Sequence, residues 1–569
     1  MQHFSVNEPK KQTQWQAINW RKANGLIRNL RQRIFRAAQK GDLKKVRSLQ
    51  KLMLRSYSNT LVSVRRVTQV NAGKHTAGID KVVVKTPKAR EELIKDLQSL
   101  TPWKAKPVRR VYIPKANGKL RPLGIPVIKD RCLQAILKNA LEPYWEAKFE
   151  GSSYGFRPGR SAHDAMVKVH LLAKATSKRT WVVDADIKGA FDNISHEYLL
   201  KTIATVPGRE LIKQWLKAGY MEKEVWHETA SGTPQGGIIS PILANIALHG
   251  MEEALTVYET RKDGSRAISK EGIKYDSRGI NIGKRAMVKY ADDFLVFCEC
   301  KQDAQTVIEN LSQWLGQRGL CFSKEKTKIV QLEEGFNFLG FNVRQYRLRH
   351  TRRGKKLLIK PSKESIQKLR EKLRVEWQSL KGQKHISVME KLNPIIRGWA
   401  NYFRTGVASD TFRKVDQWMF RKQVRFVNHT HPTKSAKWKQ AKYWGRLNLD
   451  RKDKWVFGDK QTGLHLLKFS WFPIQRHTLV KGRSSPDDGS LKMYWQIRNQ
   501  TKIKDLSVSK QRIARKQKGV CPSCGESLFN GEDIHTHHQK PISQGGTNCY
   551  SNLQLVHLYC HQQLHATRT

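Results

Sequence analysis

Acidic residues are scarce in this chain of 569 residues. Asp and Glu total 48 against 106 Lys and Arg, which gives a formal net charge of +58 at pH 7. A basic surface can serve solubility alone, but an excess of this size indicates a polyanionic partner. The 16 Trp, 15 Tyr and 19 Phe residues provide rings on which bases can stack. Nucleic acid is therefore the predicted partner.

Long apolar segments are also missing from the sequence. No apolar run reaches the length of a transmembrane helix, so no membrane partner is expected. The N-terminus lacks the apolar core of a signal peptide, which predicts a cytosolic or nucleoid-associated protein. Because the N-terminal stretch is basic and amphipathic, an organellar location stays open. The length is too great for a single core, so several domains are expected.

The eight cysteines are too unevenly placed for the disulfide framework of a secreted protein. Four of them lie in apolar or mixed segments and are expected to be free thiols: Cys132, Cys298, Cys300 and Cys321. The other four crowd the C-terminus: Cys521, Cys524, Cys549 and Cys560.

Two adjacent aspartates interrupt the apolar stretch VKYADDFLVF, residues 288–297. The stretch predicts a β-hairpin carrying Asp292 and Asp293 at its turn, and Asp186 ends the upstream strand-like segment WVVDAD. An Asp-Asp pair after a strand is often only a turn. Carboxylates brought together repel one another, and divalent cations such as Mg²⁺ reverse this effect. Two such ions can activate a 3′-hydroxyl and stabilise a leaving pyrophosphate, which is nucleotidyl transfer.

Two further motifs lie before and between these acids. RRVYIPKANGKLRPLGIP, residues 109–126, predicts a hairpin with Lys119 and Arg121 near its tip. GTPQGGIISPILANIAL, residues 232–248, predicts a glycine-rich loop followed by an apolar helix. The ordered set of YADD, an upstream Asp and PQGG resembles the reverse transcriptases encoded within group II introns.

This resemblance implies an RNA-directed DNA polymerase that uses dNTPs. It implies that Asp186, Asp292 and Asp293 are ligands of Mg²⁺. Lys119 and Arg121 resemble the residues that hold the incoming triphosphate in this family. The resemblance also implies a bacterial cytoplasmic protein that associates with the nucleoid when it is on target DNA.

The same resemblance extends to the substrate pocket and to a downstream segment. Phe191 resembles the bulky gate that excludes a ribose 2′-hydroxyl, and Gln235 lies in the loop that packs near the nascent base pair. Lys324 or Lys328 is the candidate for contact with the departing phosphates. LNPIIRGWANYFR, residues 392–404, resembles the maturase region that binds intron RNA and aids its splicing, although its apolar residues also fit a helical core.

Histidines are concentrated near the C-terminus, between a CPSC motif and HLYCH. This combination indicates metal binding more strongly than a solvated surface. The pattern resembles an HNH nuclease. The resemblance implies that His538 is the general base and that Asn552 orients it. The resemblance also implies that His537 and His561 hold one divalent ion, expected to be Mg²⁺, with His565 as a further candidate.

A second, structural zinc site is expected in the same region. Relatives with a zinc knuckle pair two CxxC motifs, whereas His557 stands here where a Cys is expected, and imidazole suits tetrahedral Zn²⁺ nearly as well as thiolate. Cys549 falls outside the knuckle spacing. The alternative is a decayed knuckle with free thiols. The expected ligands are Cys521, Cys524, His557 and Cys560.

The expected fold class is multidomain α+β: a right-hand polymerase with fingers and palm, a helical thumb/maturase domain, a DNA-binding segment and a C-terminal ββα-metal HNH domain. The expected domains are a basic N-terminal helical extension (1–70), polymerase fingers and palm (71–345), thumb/maturase (346–430), DNA-binding segment (431–485) and HNH domain with zinc knuckle (486–569).

The resemblance implies a multifunctional group II intron-encoded protein. Such a protein binds its intron RNA as a ribonucleoprotein and aids splicing. Its HNH domain nicks target DNA, and the new end primes reverse transcription during retrohoming. Two alternatives stay open at this point: a stand-alone reverse transcriptase-nuclease of a defence system, and a non-catalytic RNA splicing factor.

Overall fold

The N-terminal part of the chain is a layer of helices. The computed structural model describes residues 14–99, 103–114, 118, 120–255, 257, 259–260, 266–267, 285–349, 354–448 and 450–566. The first helices are α1 (Trp20–Gln39), α2 (Leu43–Arg55), α3 (Tyr57–Arg65) and α4 (Pro87–Gln98). The helical pattern of the basic N-terminal stretch is divided between α1 and α2, because Gly41 takes a φ of 71° between them.

In its described residues, the following region contains two four-stranded sheets, a two-stranded sheet and eight helices. Its elements are β1 (Val108–Pro114), β2 (Leu120–Ile125), α5 (Ile128–Glu146), α6 (Ala162–Ala173), β3 (Trp181–Asp186), α7 (Ala190–Asn193), α8 (His196–Ile203), α9 (Arg209–Lys217), β4 (Tyr220–Glu222), β5 (Val225–His227), α10 (Ser240–Ala247), α11 (Met251–Ala254), β6 (Glu259–Thr260), β7 (Arg266–Ala267), β8 (Ala286–Tyr290), β9 (Asp293–Cys298), α12 (Lys301–Gly316) and β10 (Lys328–Gln331). The sheet orders are β2-β1-β4-β5 and β10-β3-β9-β8, and β6 pairs with β7. The antiparallel pairs β1–β2 and β8–β9 confirm both predicted hairpins.

The sheet β10-β3-β9-β8 is buried on both faces. Along β9, Phe294 and Val296 belong to one hydrophobic core, whereas Leu295 and Phe297 belong to another. Successive side chains of a strand point to opposite faces, so a strand covered on both sides needs a continuous apolar run. This requirement explains the run FLVF in β9, where the acidic side chain of Asp293 stands at the end of the strand.

A smaller sheet and long helices follow. Their elements are β11 (Phe336–Phe338), β12 (Phe341–Arg347), β13 (Lys355–Pro361), α13 (Lys363–Ser379), α14 (His385–Phe403), α15 (Ser409–Thr430), α16 (Ala436–Tyr443), β14 (Trp444–Gly445) and β15 (Val456–Phe457). Strands β11, β12 and β13 form one antiparallel sheet in that order. In α14, Leu392, Ile396 and Phe403 are buried, so the apolar stripe of this segment is a helical core.

The C-terminal elements pack back onto the N-terminal helices. They are α17 (Lys492–Thr501), α18 (Val508–Lys516), β16 (Ile534–His538), β17 (Leu553–His557) and α19 (Leu558–Ala566). Trp20 and Val64 share one hydrophobic core with Leu528 and Val556. The expected multidomain, mixed α/β class is confirmed. Among the helices that the structure describes, none is long and apolar enough to cross a membrane.

Candidate active sites

Three aspartates meet at one end of the sheet that is buried on both faces. Asp186 is the last residue of β3 and pairs in register with Asp293, the first residue of β9. Asp292 lies in the two-residue turn that joins β8 to β9. Ala291 opens this turn with a φ of 58°, a left-handed conformation that is costly for a residue with a Cβ. The hairpin thus carries its acids at the point where the apolar packing ends.

Two of these carboxylates, Asp292 and Asp293, resist ionisation. Burial is the main cause that raises the pKa of Asp293, and the neighbouring Asp292 and Asp186 raise it as well, so that it reaches about 7. Burial is also the main cause that raises the pKa of Asp292. A divalent cation reverses this effect, because its charge favours the ionised form of every carboxylate that it contacts. The oxygen-only donor set fits a hard cation such as Mg²⁺.

Lys326 is the lysine that the structure places on this cluster. Its Nζ lies 2.7 Å from Asp186 Oδ2. The segment SKEKTKI contains Lys324, Lys326 and Lys328, of which the resemblance implied the first or the last. A turn in which Ser323 N donates to Asp186 O at 2.8 Å brings Lys326 to the carboxylate. The role of Lys324 or Lys328 at the departing phosphates stays a prediction, and Lys326 is a further candidate.

The other predicted polymerase residues surround the same end of the sheet. Phe191 lies in α7, with its ring 6.0 Å from that of Phe156, a neighbour that sequence reasoning missed. Gln235 Nε2 lies 3.3 Å from Asp192 Oδ2. Arg121 is exposed on β2, and its charge favours the ionised form of Asp292.

The tip of the first hairpin is only partly described. Lys119 lies outside the described residues, so its predicted contact with a triphosphate stays a prediction. The PQGG loop packs beside this hairpin, because Gly124 N donates to Gln235 O at 2.8 Å. A Cβ at Gly236 would lie 2.6 Å from Gly124 O, so only glycine allows this approach.

A buried ion pair anchors strand β8 of the hairpin that carries the aspartates. Lys289 is only 1 % exposed, and its Nζ lies 3.7 Å from Glu150 Oε2 and donates to Leu248 O. His249 Nδ1 lies 3.2 Å from Glu150 Oε2, and Gly250 N donates to Glu150 Oε1 at 2.6 Å. Burial opposes the ionisation of Glu150, but Lys289 and His249 outweigh it and hold the pKa of Glu150 below its usual range.

The backbone of Lys289 is held as firmly as its side chain. Its N donates to Ser152 O at 2.9 Å, and its O accepts from Tyr154 N at 2.8 Å. A Cβ at Gly155 would lie 2.3 Å from Ala291 N. The segment that contains these residues therefore packs directly on the turn of the carboxylate hairpin. Sequence reasoning assigned no role to Lys289.

Three histidines meet in the C-terminal region. The ligating atoms of His537, His561 and His565 all lie within 4.8 Å of one another, as the sequence predicted. His538 follows His537 on β16, so the two side chains leave the strand on opposite faces. His538 Nε2 lies 2.8 Å from Asn548 Oδ1. The histidine cluster fits one divalent ion, with His538 beside it rather than in it.

Asn552 contacts the loop after His538 and not the imidazole itself. Asn552 Nδ2 donates to Thr547 O at 2.8 Å and to Lys540 O at 2.9 Å, and its Oδ1 accepts from Lys540 N at 2.8 Å. Asn548 is thus the asparagine in direct contact with His538, and the predicted role of Asn552 in orienting His538 stays a prediction. Sequence reasoning missed Asn548 because the two asparagines flank the same turn.

The four predicted zinc ligands form a second cluster. Cys521, Cys524, His557 and Cys560 are buried, with ligating atoms within 4.8 Å of one another. His557 Nδ1 lies 3.4 Å from Cys524 Sγ, while His557 Nε2 lies 3.1 Å from Ser527 O. A ligating histidine commonly donates its other N–H to a carbonyl in this way. Three thiols and one imidazole fit a tetrahedral metal site.

Neighbouring residues support this assignment of ligands. Cys549 is exposed and outside the cluster. Arg65 of α3 donates from Nη2 to Cys560 Sγ at 3.1 Å, a contact that no sequence pattern indicated. The knuckle-like cluster therefore lies at the junction with the N-terminal helices.

Four family models match consecutive parts of the chain. They are described as N-terminal domain of reverse transcriptase (residues 15–97), reverse transcriptase or RNA-dependent DNA polymerase (113–343), group II intron maturase-specific domain (366–444) and HNH endonuclease (521–567). Protein YkfC of Escherichia coli is 33% identical over 315 residues, which are 51% of this chain and 81% of that protein. The chain belongs to the group II intron-encoded reverse transcriptases.

Other relatives support this family. The group II intron-encoded protein LtrA of Lactococcus lactis is 32% identical over 336 residues, 50% of this chain and 56% of LtrA. A solved telomerase from Candida albicans covers 60% of each chain with 14% identity and a TM-score of 0.32, too low to support an inference. The chain spans about half the length of LtrA.

Three functional regions of this chain are matched by family models: the reverse transcriptase, the maturase-specific domain and the HNH endonuclease. The three aspartates lie within the reverse transcriptase match, and both C-terminal clusters lie within the HNH endonuclease match. The matched maturase-specific domain lies between them. A stand-alone polymerase-nuclease and a non-catalytic splicing factor are not favoured by this combination.

Proposed function

We propose that the protein is a multifunctional group II intron-encoded protein. It copies RNA into DNA, aids splicing of its intron RNA, and nicks target DNA so that the new 3′ end primes reverse transcription during retrohoming. The main support is that two separate clusters, one of carboxylates and one of histidines, lie within matches to a polymerase and to a nuclease. A ribonucleoprotein of this kind would act in the bacterial cytoplasm and on the nucleoid.

The polymerase reaction uses the end of the sheet that carries the aspartates. Asp186, Asp292 and Asp293 would hold Mg²⁺, which would neutralise charge on the attacking and leaving oxygens. Lys326 lies beside Asp186 and would accompany the departing pyrophosphate. In right-hand polymerase terms, this sheet is the palm, the hairpin β1–β2 belongs to the fingers, and α13 to α15 form the thumb.

Substrate selection falls to residues around this sheet. Arg121 and Lys119 of the hairpin would contact the triphosphate of a dNTP. Phe191, packed against Phe156, would occupy the space that a ribose 2′-hydroxyl needs. Gln235 would lie near the nascent base pair, since its loop packs against β2.

The nuclease reaction uses the C-terminal histidines. His537, His561 and His565 would hold one divalent ion that stabilises charge on the scissile phosphate. His538 would be the general base. If its Nε2–H donates to Asn548 Oδ1, its Nδ1 is the unprotonated nitrogen that can accept a proton from water. The nearby cluster of three cysteines and His557 would hold structural Zn²⁺.

RNA and DNA would bind along the basic regions outside both sites. The predicted domain boundaries at residues 70, 345, 430 and 485 divide these surfaces, with a maturase domain for intron RNA and residues 431–485 for DNA. Helix α13 carries basic side chains on the face that is not buried. Phosphate contacts of this kind give affinity that falls steeply with salt.

Two variants, one for each site, and one control variant test the proposal in one experiment. Asp292→Asn should abolish Mg²⁺-dependent primer extension but preserve RNA binding and DNA nicking, because only a metal ligand of one site is lost. Asp184→Asn, in the same strand as Asp186, is the matched control and should retain extension. His538→Ala should stop nicking and spare extension on a supplied primer. Loss of both activities in either variant would contradict separate sites.

A further inference from the structure

A cavity of about 390 Å³ lies between the N-terminal helices and α19. Gln563 of α19 closes it, because its Nε2 donates to Gln16 O at 2.7 Å and to Ile18 O at 2.9 Å. The volume lies within the range of small-ligand sites. No residue of the aspartate cluster or of the two C-terminal clusters is among its lining residues. The lining residue Arg65 contacts Cys560 of the cysteine cluster.

The lining of this cavity is cationic. Among the described residues, no Asp or Glu lines it, whereas four basic side chains do: Arg65, Lys74, Lys85 and Arg90. Arg65 is already occupied by Glu532 at 3.5 Å and by Cys560. The other three bring positive charge without a carboxylate in the wall.

Arg90 shows most clearly that the cations of this wall lack acidic partners among the lining residues. It is only 7 % exposed, and its Nε and Nη2 donate to Thr68 Oγ1 at 3.1 Å and to Lys85 O at 2.7 Å, both neutral acceptors. No carboxylate contacts it within the described part of the chain. Burial lowers the pKa of Arg90, but a guanidinium stays charged at neutral pH. A buried cation of this kind is costly unless an anion compensates it.

Aromatic rings lie beside these cations. The Arg90 guanidinium lies 5.4 Å from the ring centre of Trp15, and Lys74 Nζ lies 5.1 Å from that of Tyr559. Four glutamines complete the wall with amide donors and acceptors: Gln16, Gln69, Gln562 and Gln563. Inorganic phosphate would use only the cations, whereas a phosphate attached to a planar, hydrogen-bonding base would use the whole wall.

We propose that this cavity binds one nucleoside phosphate unit, with the phosphate near Arg90 and Lys85 and the base against the wall that contains Trp15 and Tyr559. The unit is a free mononucleotide or one nucleotide of a single strand, which share this chemistry. Because Tyr559 belongs to the HNH match and Arg90 to the N-terminal match, the ligand bridges both ends of the chain. This site goes beyond the proposed polymerase and nuclease functions.

Photocrosslinking of the full-length protein tests the site locally, which matters in a chain that binds nucleic acid at many places. One arm uses 8-azidoadenosine 5′-monophosphate, and the other uses a single-stranded RNA that contains 4-thiouridine. Label should appear on the peptides that carry Trp15 or Tyr559. Lys85→Gln should lower it about tenfold, the effect of one charge-assisted hydrogen bond. Lys88→Gln is the matched control, since Lys88 lies three residues further along the chain, is exposed on α4 and does not line the cavity.

The outcomes separate the two sources and the alternatives. Label in the mononucleotide arm identifies a free nucleotide, and label in the RNA arm alone identifies a strand; either supports the site. Absence of label on these peptides in both arms overturns it, as does an equal effect of the two lysine variants. Adenosine 5′-monophosphate should compete better than inorganic phosphate, and equal competition would overturn the role of the base.

Discussion

Replacement of Lys289 by methionine tests whether the buried ion pair holds the carboxylate hairpin in place. Lys289 Nζ lies 3.7 Å from Glu150 Oε2, and both side chains are 1 % exposed. At an effective dielectric constant of about 20, the attraction is roughly 4.5 kcal/mol, most of which offsets the desolvation of the two charges. Methionine fills a similar volume but leaves the Glu150 carboxylate buried without its lysine.

Removal of one partner from a buried pair costs roughly 3–5 kcal/mol. Glu150 keeps its contacts with His249 and with Gly250 N, so we expect a cost near about 3 kcal/mol. Because Lys289 N and O join β8 to Ser152 and Tyr154, the loss should appear in that strand first. The double variant Lys289→Met/Glu150→Gln should recover most of it, since no buried charge is then left alone.

Hydrogen exchange of the β8 amides measures this effect without assuming that the whole chain unfolds in one step. A cost of about 3 kcal/mol corresponds to exchange roughly 150-fold faster in Lys289→Met. Primer extension should fall in parallel, and Lys201→Met, which changes an exposed lysine on α8, should leave both unchanged. Equal exchange in the single and double variants would refute the reasoning, because the ion pair would then carry no charge-specific stability.

Four further predictions follow from the sites. The pKa of Asp293, raised to about 7, implies that protons compete with Mg²⁺, so the half-saturating Mg²⁺ concentration for primer extension should rise as pH falls below 7; a flat dependence from pH 8 to 6 would contradict this. Phe191→Ala should admit rNTPs in extension assays, and unchanged sugar selectivity would reduce Phe191 to packing. His557→Ala should lose an otherwise equimolar zinc by elemental analysis, while His557→Cys retains it. Asn548→Ala should slow nicking more than it affects metal binding to the histidines, whereas equal losses would indicate a general disturbance of the loop.

The sequence predicted where the acidic and histidine residues of the candidate sites lie better than it predicted the contacts around them. The continuous apolar run FLVF predicts a buried strand with its acids at the end, so the position of Asp292 and Asp293 followed from the pattern, whereas their role as metal ligands was implied by the resemblance. Lys326 could not, because three lysines alternate in SKEKTKI and the backbone turn at Ser323 decides which one reaches Asp186. Asn548 was missed for the same reason, since loop geometry and not spacing brings it to His538.

Long-range contacts were the least predictable part of the fold. Residues 478–491 have the Gly, Ser and Pro content of a linker, yet Val480 and Ser485 are almost fully buried. Contacts with distant residues hold this segment, among them one carboxylate more than 300 positions away. Asp164 Oδ1 accepts from Val480 N at 2.9 Å and from Arg498 Nη2 at 2.5 Å. Composition reports only what a segment contains, whereas its order depends on such a partner.

The position of the C-terminal domain also depends on contacts with residues far away in the sequence. The cysteine spacing predicted a metal-binding knuckle but not what it packs against. Arg65 of α3 donates to Cys560 Sγ, and α19 hydrogen-bonds to the backbone of residues 16 and 18. A metal that fixes Cys560 would therefore also fix the acceptor that Arg65 needs. Metal binding at the knuckle would thus be coupled, through one shared thiol, to docking of the nuclease region on the N-terminal helices.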